Sequence, residues 1–220
     1  MGFWIRAGIL SAFAAGTALA GTSAFAQTTV LKGDPVHGKA ISYTCLGCHG
    51  VAGYRNAYPN YSVPKLVGQH AEYIVAALQE YKGDQRSHIT MHSQASTLSD
   101  QDMADIAAYF SGESGAPLQP APLPASAPPA PAAVAVCAAC HGATGISIVP
   151  NYPILAGQYP DYLEREIGEY KNGGRKNPIM ASMSLTIKDS DVEALAEYFS
   201  KMRPSLGTLH RPTSIITAKR

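Results

Sequence analysis

The 220-residue chain has only four cysteines and a single tryptophan. All four cysteines fall in two short Cys-x-x-Cys runs, so none is left for a disulfide framework or a lone nucleophilic thiol. Charge is scarce as well: 15% of residues are Asp, Glu, Lys or Arg, and the formal net charge is +1. Nothing in that balance resembles the basic stripe that follows a phosphate backbone, so nucleic acid is not expected as a partner. Beyond the first 26 residues no segment reads as a bilayer span, since the long uncharged run at 114–160 is broken by prolines and glycines. The βαβ alternation that would frame a thioredoxin-like redox pair is also missing.

What is present is concentrated at Cys45-Leu46-Gly47-Cys48-His49-Gly50, and again at Cys137-Ala138-Ala139-Cys140-His141-Gly142. Two cysteines two residues apart, followed at once by histidine, form the attachment signature of a c-type haem. On a short helical turn both thiols reach the same edge of one porphyrin, and the adjacent histidine is held beneath the iron. A single zinc cluster would want closer spacing than the 92 residues that separate the pairs, and it would leave both histidines unexplained. The expected cofactors are two covalently bound haem c groups, attached through Cys45 and Cys48 and through Cys137 and Cys140. His49 and His141 are then the proximal iron ligands.

Residues 1–26 read as a secretory signal. Arg6 supplies the positive start, 7–20 is uncharged and mostly apolar, and Ala24-Phe25-Ala26 is a cleavage-type site before Gln27. An uncleaved membrane anchor is the alternative, since the uncharged stretch approaches spanning length. Export agrees with covalent haem attachment outside the cytoplasmic membrane.

A first domain is expected over 27–113. Asp34-Pro35 reads as a helix cap followed by Pro at the first helical position, delivering the chain into Cys45. A helix over 70–82 carries Tyr73, Ile74, Ala77, Leu78 and Tyr81 on one face and is broken by Gly83. Ser99-x-x-Asp102 opens a third helix with Met103, Ile106, Ala107 and Phe110 on its apolar face. A second domain, 134–203, repeats the first. Pro64-Lys65-Leu66-Val67-Gly68-Gln69 returns as Pro153-Ile154-Leu155-Ala156-Gly157-Gln158, and Tyr73, Tyr81, Arg86, Met91 and Leu98 return as Tyr162, Tyr170, Arg175, Met180 and Ile187, all offset by 89 residues. Between them lies a Pro/Ala-rich linker, 114–133, able to span roughly 60 Å if extended as polyproline. A tail, 204–220, follows.

The repeat nominates the sixth iron ligands, Met91 and Met180, since a neutral thioether opposite histidine suits electron transfer. Met183 has Gln94 as its counterpart, and Met103 and Met202 fall in or near helices. His88 and His92 flank Met91 and are alternative ligands there. His37, His70 and His210 read as solvated. Pro64 and Pro153 are placed to offer carbonyls to the proximal imidazoles. Arg86, Arg175, Tyr81 and Tyr170 are candidate partners for haem propionates.

The two Cys-x-x-Cys-His-Gly motifs, the paired Pro-x-Leu-x-Gly-Gln loops, Tyr81-Lys-x-Gly, Arg-Lys-Asn-Pro-Ile-Met180 and the Leu98-Ser-Asp-x-Asp run together resemble a dihaem class I cytochrome c, specifically the cytochrome c4 family. The resemblance covers most of the chain outside signal, linker and tail. It implies an all-α fold of two tandem class I domains related by a pseudo-twofold. It also implies periplasmic electron transfer toward a terminal oxidase, sometimes with loose membrane association. The expected role is a carrier rather than an enzyme, taking electrons from a quinol-oxidising complex or a dehydrogenase. A cytochrome subunit of a dehydrogenase complex and a dihaem peroxidase are the alternatives.

The chain departs from that pattern in a long linker, which puts tight docking in doubt; its composition does not choose between halves that dock and halves that are flexibly tethered. The second half lacks a first helix, because prolines run to Pro131, and the tail is an addition. Charge is uneven too: six basic and eight acidic residues over 27–115, ten and eight over 132–220. Such a dipole can orient a carrier between partners.

Overall fold

In this computed structural model, residues 1–2, 31–112, 129–202 and 206–208 are described. The expected signal beyond residue 2, most of the linker, His210 and all of the tail except 206–208 lie outside the described residues. Two helical halves follow one another. The first holds α1 (Pro35–Ile41), α2 (Tyr43–His49), α3 (Ala71–Lys82), α4 (Ile89–Ala95) and α5 (Asp100–Ser111). The second holds α6 (Val134–His141), α7 (Pro160–Asn172), α8 (Pro178–Leu185) and α9 (Asp189–Ser200). Among the described residues there are isolated bridges but no strands.

The helices start where side chains can satisfy their free N–H groups. The Asp34 carboxylate accepts from Val36 and His37 N–H, with Pro35 as the first helical residue. Ser99 and Asp102 close a reciprocal capping box at α5. Helix α3 ends at Gly83, as its sequence predicts. Its buried stripe of Ile74, Leu78 and Tyr81 packs against Met103, Ile106 and Phe110 of α5. The counterpart core places Leu163 of α7 against Leu195 and Phe199 of α9. Met103 and Met202 are both fully buried core residues, not ligands.

Helix α1 lies on α5 so closely that it has room only for glycine. A Cβ added to Gly38 would run into the backbone carbonyl of Asp105. Buried Asp105 accepts from Asp34 N–H at 2.7 Å and pairs with His37 at 2.7 Å, so His37 is tied down rather than simply solvated. Gly38→Ala is expected to cost about 1–3 kcal/mol by overpacking, read as a lowered denaturant midpoint.

Among the described residues the second half has no counterpart of α1, as the prolines before Cys137 predict. Leu206 joins its core instead. Gly207 beside it exchanges backbone hydrogen bonds with Val67 of the first half, at 2.9 and 3.1 Å. The described part of the tail therefore stitches the two halves together. The linker's composition leaves open whether the halves dock. Residues 31–220 form one unit, and the halves meet along a hydrogen-bonded seam. Gln69 receives Ile154 N–H at 2.9 Å and donates to its carbonyl, while Gln158 does the same with Lys65. The glycine before each glutamine has positive φ, 85° at Gly68 and 77° at Gly157. That turn sends the glutamine across the seam and explains the Gly-Gln pair in both loops.

Candidate haem sites

Each half encloses a largely apolar cavity. The first is lined by Cys45, Cys48, His49 and Met91. The second is lined by Cys137, His141 and Met180, with Cys140 one turn along α6. The two cysteine pairs serve different cavities, so they cannot share a zinc ion. All four thiols are free. Burial pushes the Cys45 and Cys137 thiols up, which makes both poor thiolates.

Both proximal histidines are buried, and burial lowers their pKa, favouring the neutral ring. The His49 Nδ1 lies 2.8 Å from the Pro64 carbonyl, and the His141 Nδ1 lies 2.9 Å from that of Pro153. A carbonyl only accepts, so Nδ1 carries the proton and the lone pair stands on Nε2. That is the tautomer an iron ligand needs, and the two prolines fill the role expected of them. The donor set of each cavity therefore fits a haem: a buried neutral imidazole, a thioether and cysteines free of disulfides.

Met91 and Met180 sit inside short helices, α4 and α8, that the sequence reading did not anticipate. The caps of these helices act on the methionines directly. The Asn177 side chain accepts the Met180 N–H at 3.1 Å, and His88 Nδ1 accepts the Met91 N–H at 3.3 Å. The pair Asn177-Pro178 was the signal available for α8. His88 also lines the first cavity. His92 is held instead by the Tyr81 carbonyl at 2.9 Å and Asp84 at 3.1 Å. Met183 does not line the second cavity.

The arginines and tyrosines named as propionate partners line the cavities and also take part in contacts at the seam. Arg86 and Arg175 are buried and cross the seam. Arg86 donates to Tyr162 Oη at 2.6 Å and pairs with Glu166 at 2.7 Å. Arg175 donates to Tyr73 Oη at 3.2 Å and pairs with Glu166 at 2.8 Å and Glu80 at 3.0 Å. Their guanidinium groups lie over the rings of Tyr81 and Tyr170 at 4.5 and 4.7 Å. His70, expected in solvent, donates from Nε2 to the Ser147 carbonyl across the seam at 2.9 Å. Tyr73 and Tyr162 line both cavities. The sequence reading missed Gln69, Gln158 and Glu166 as contacts between the halves.

A family model described as Cytochrome c matches residues 36–112 and 131–203. The chain is 31% identical over 184 residues to a cytochrome c4 of Pseudomonas aeruginosa, covering 76% of this chain and 87% of that one. It is 30% identical over 177 residues to a thiosulfate dehydrogenase electron acceptor of Stutzerimonas stutzeri, covering 72% and 78%. The solved structure of reduced recombinant cytochrome c4 from Pseudomonas stutzeri superposes with a TM-score of 0.60 at 28% identity, covering 78% of this chain and all of that one. Two cavities built on two attachment motifs, in a fold shared with these proteins, have one reading: the chain belongs to the cytochrome c family, among the dihaem class I cytochromes that include cytochrome c4, and carries electrons with two covalently bound haem c groups.

Proposed function

We propose that His49 with Met91, and His141 with Met180, ligate the two irons. On this reading the protein is a periplasmic carrier that moves electrons from a quinol-oxidising complex or a dehydrogenase to a terminal oxidase. The observation that carries the reading is the matched donor set, a buried Nε2 lone pair and a capped methionine lining each cavity. Bound haem supplies a one-electron ferric/ferrous couple. The chain's own residues set its terms. The Pro64 and Pro153 carbonyls fix ring orientation and raise imidazole basicity. The thioethers of Met91 and Met180 would complete the hold on the irons and would favour the reduced state. Apolar walls exclude water, and helices capped at both methionines hold the ligands in one geometry for both oxidation states.

A dedicated dehydrogenase partner is a second reading of the same site, favoured by the similarity to a thiosulfate dehydrogenase electron acceptor. The peroxidase alternative requires one open iron, and matched methionines in both halves speak against it. Among the described residues no helix is long and apolar enough to cross a membrane. The periplasmic assignment rests on the signal-like residues 1–26.

The test is the visible spectrum of the dithionite-reduced holoprotein with and without carbon monoxide. No change is expected, because histidine and methionine would hold each iron from both sides. A shift in half of the haem would overturn the carrier reading in favour of a ligand-binding or peroxidatic site.

A further inference from the structure

Lys82 closes α3, and Lys171 stands in the last turn of α7. The two are equivalent in the repeat, offset by 89 residues. Each reaches out of its own helix to a backbone carbonyl. Lys82 Nζ donates to that of Leu98 and Lys171 Nζ to that of Ile187, both at 2.6 Å. Leu98 and Ile187 are equivalents as well, and their side chains line the two cavities.

Each lysine thereby fastens the far end of an arm that carries one of the methionines, 88–98 in the first half and 177–187 in the second. At its near end the arm is held by the cap on the methionine N–H. At its far end the Leu98 and Ile187 N–H groups bond back into the arm, to the Ala95 and Ser184 carbonyls at 3.1 Å. Their own carbonyls point out of the arm, to the lysines. A charged donor makes the stronger kind of hydrogen bond, and a cation at the C-terminal end of a helix is favoured by the helix dipole. Residues of α3 and α7 line the same cavities, so each bond ties the methionine's arm to another wall of its own site. Among the described residues Lys171 makes the only hydrogen bond from α7 to its arm, and its side chain is 20% exposed. Lys82 is exposed, and His92 adds a second tie there through the Tyr81 carbonyl at 2.9 Å.

We propose that Lys82 and Lys171 are positioning residues that keep Met91 and Met180 in place by pinning the arms that carry them. The inference rests on the ligand assignment proposed above.

Imidazole uptake by the ferric holoprotein, followed optically, tests it, because imidazole enters as a methionine leaves. Lys171→Ala is expected to raise the imidazole affinity of half of the haem about tenfold, the loss of one charge-assisted hydrogen bond. Asp189→Asn removes the exposed carboxylate that Lys171 also contacts at 2.5 Å and is expected to leave uptake unchanged. Lys82→Ala is expected to act on the other half of the haem, less strongly because His92 remains, and that result does not depend on how well Lys171→Ala folds. A lowered denaturant midpoint in both lysine variants with unchanged imidazole affinity would overturn the proposal, as would an equal effect from Asp189→Asn. Met180→Ala separates this proposal from the reading beneath it. It is expected to raise uptake in the same half of the haem as Lys171→Ala, and combining the two should add nothing further. Effects that simply add would mean that Lys171 acts elsewhere, and the proposal falls while the ligand assignment stands. Uptake unchanged by Met180→Ala would sink the ligand assignment, and the proposal with it.

Discussion

Met180→Ala is expected to turn a reduced protein indifferent to carbon monoxide into one in which half of the haem binds it. The second cavity offers no replacement. Among the described residues His141 is the only histidine in its lining, and Met183, three residues along the same helix, does not line it. Alanine leaves the Asn177 cap intact, because that cap holds the backbone N–H of residue 180 and not its side chain. The helix therefore persists while the axial position opens. The first site needs a double change. His88 lines the same cavity as Met91 and is half-buried, and burial lowers its pKa, so a neutral nitrogen lies near the vacated place. Met91→Ala combined with His88→Asn, which copies the second site, is expected to open the first iron to the same extent. Optical titration with carbon monoxide reads both variants. A Met180→Ala protein that stays closed would mean that another residue ligates the second iron.

Glu166→Ala is expected to loosen the docking of the halves by about 3–5 kcal/mol, the cost of stranding a buried charge by removing its partner. Arg86, 5% exposed in its side chain, loses its carboxylate and keeps Tyr162, while Arg175 keeps Glu80. Denaturant titration of the holoprotein should then resolve two transitions where the parent shows one. The parent is expected to do the same in acid, and the sign is fixed. The folded carboxyl lies below its unfolded value of roughly 4.3, so its contribution is complete above that pH. It is lost as pH falls from there through the lowered folded value. Alkaline pH up to the tyrosine range should leave the seam closed. A seam unaffected by acid would show that the paired glutamines and backbone bridges carry the docking alone.

The sites were legible in the sequence because haem attachment is local. Cys45, Cys48 and His49 lie on one turn, and the 89-residue repeat found Met91 and Met180 by matching them. The same matching hid the seam. A repeat comparison rewards what the halves share, so Arg86 and Arg175 were read only as two copies of one cavity residue, and their place as two sides of one interface went unread. Glu166 was passed over because Ala77 does not resemble it. Helices α3 and α5 were readable from their apolar period and caps. Helices α4 and α8 were not, since seven or eight residues with little charge carry no clear period. The linker's composition speaks only of reach, and the docking was decided by polar contacts between residues far from it in sequence.

The paired glutamines carry a further implication. Gln69 grips residue 154 and Gln158 grips residue 65, positions that are each other's equivalents, so the seam is one surface patch used twice. A patch of that kind would close a homodimer of half-length chains. In such a dimer positions 77 and 166 would be the same residue, giving either two carboxylates among the arginines or none. Only after the copies are fused into one polypeptide can a single carboxylate be placed between two arginines. The covalent join is thus what allows a symmetric scaffold to tell its two ends apart.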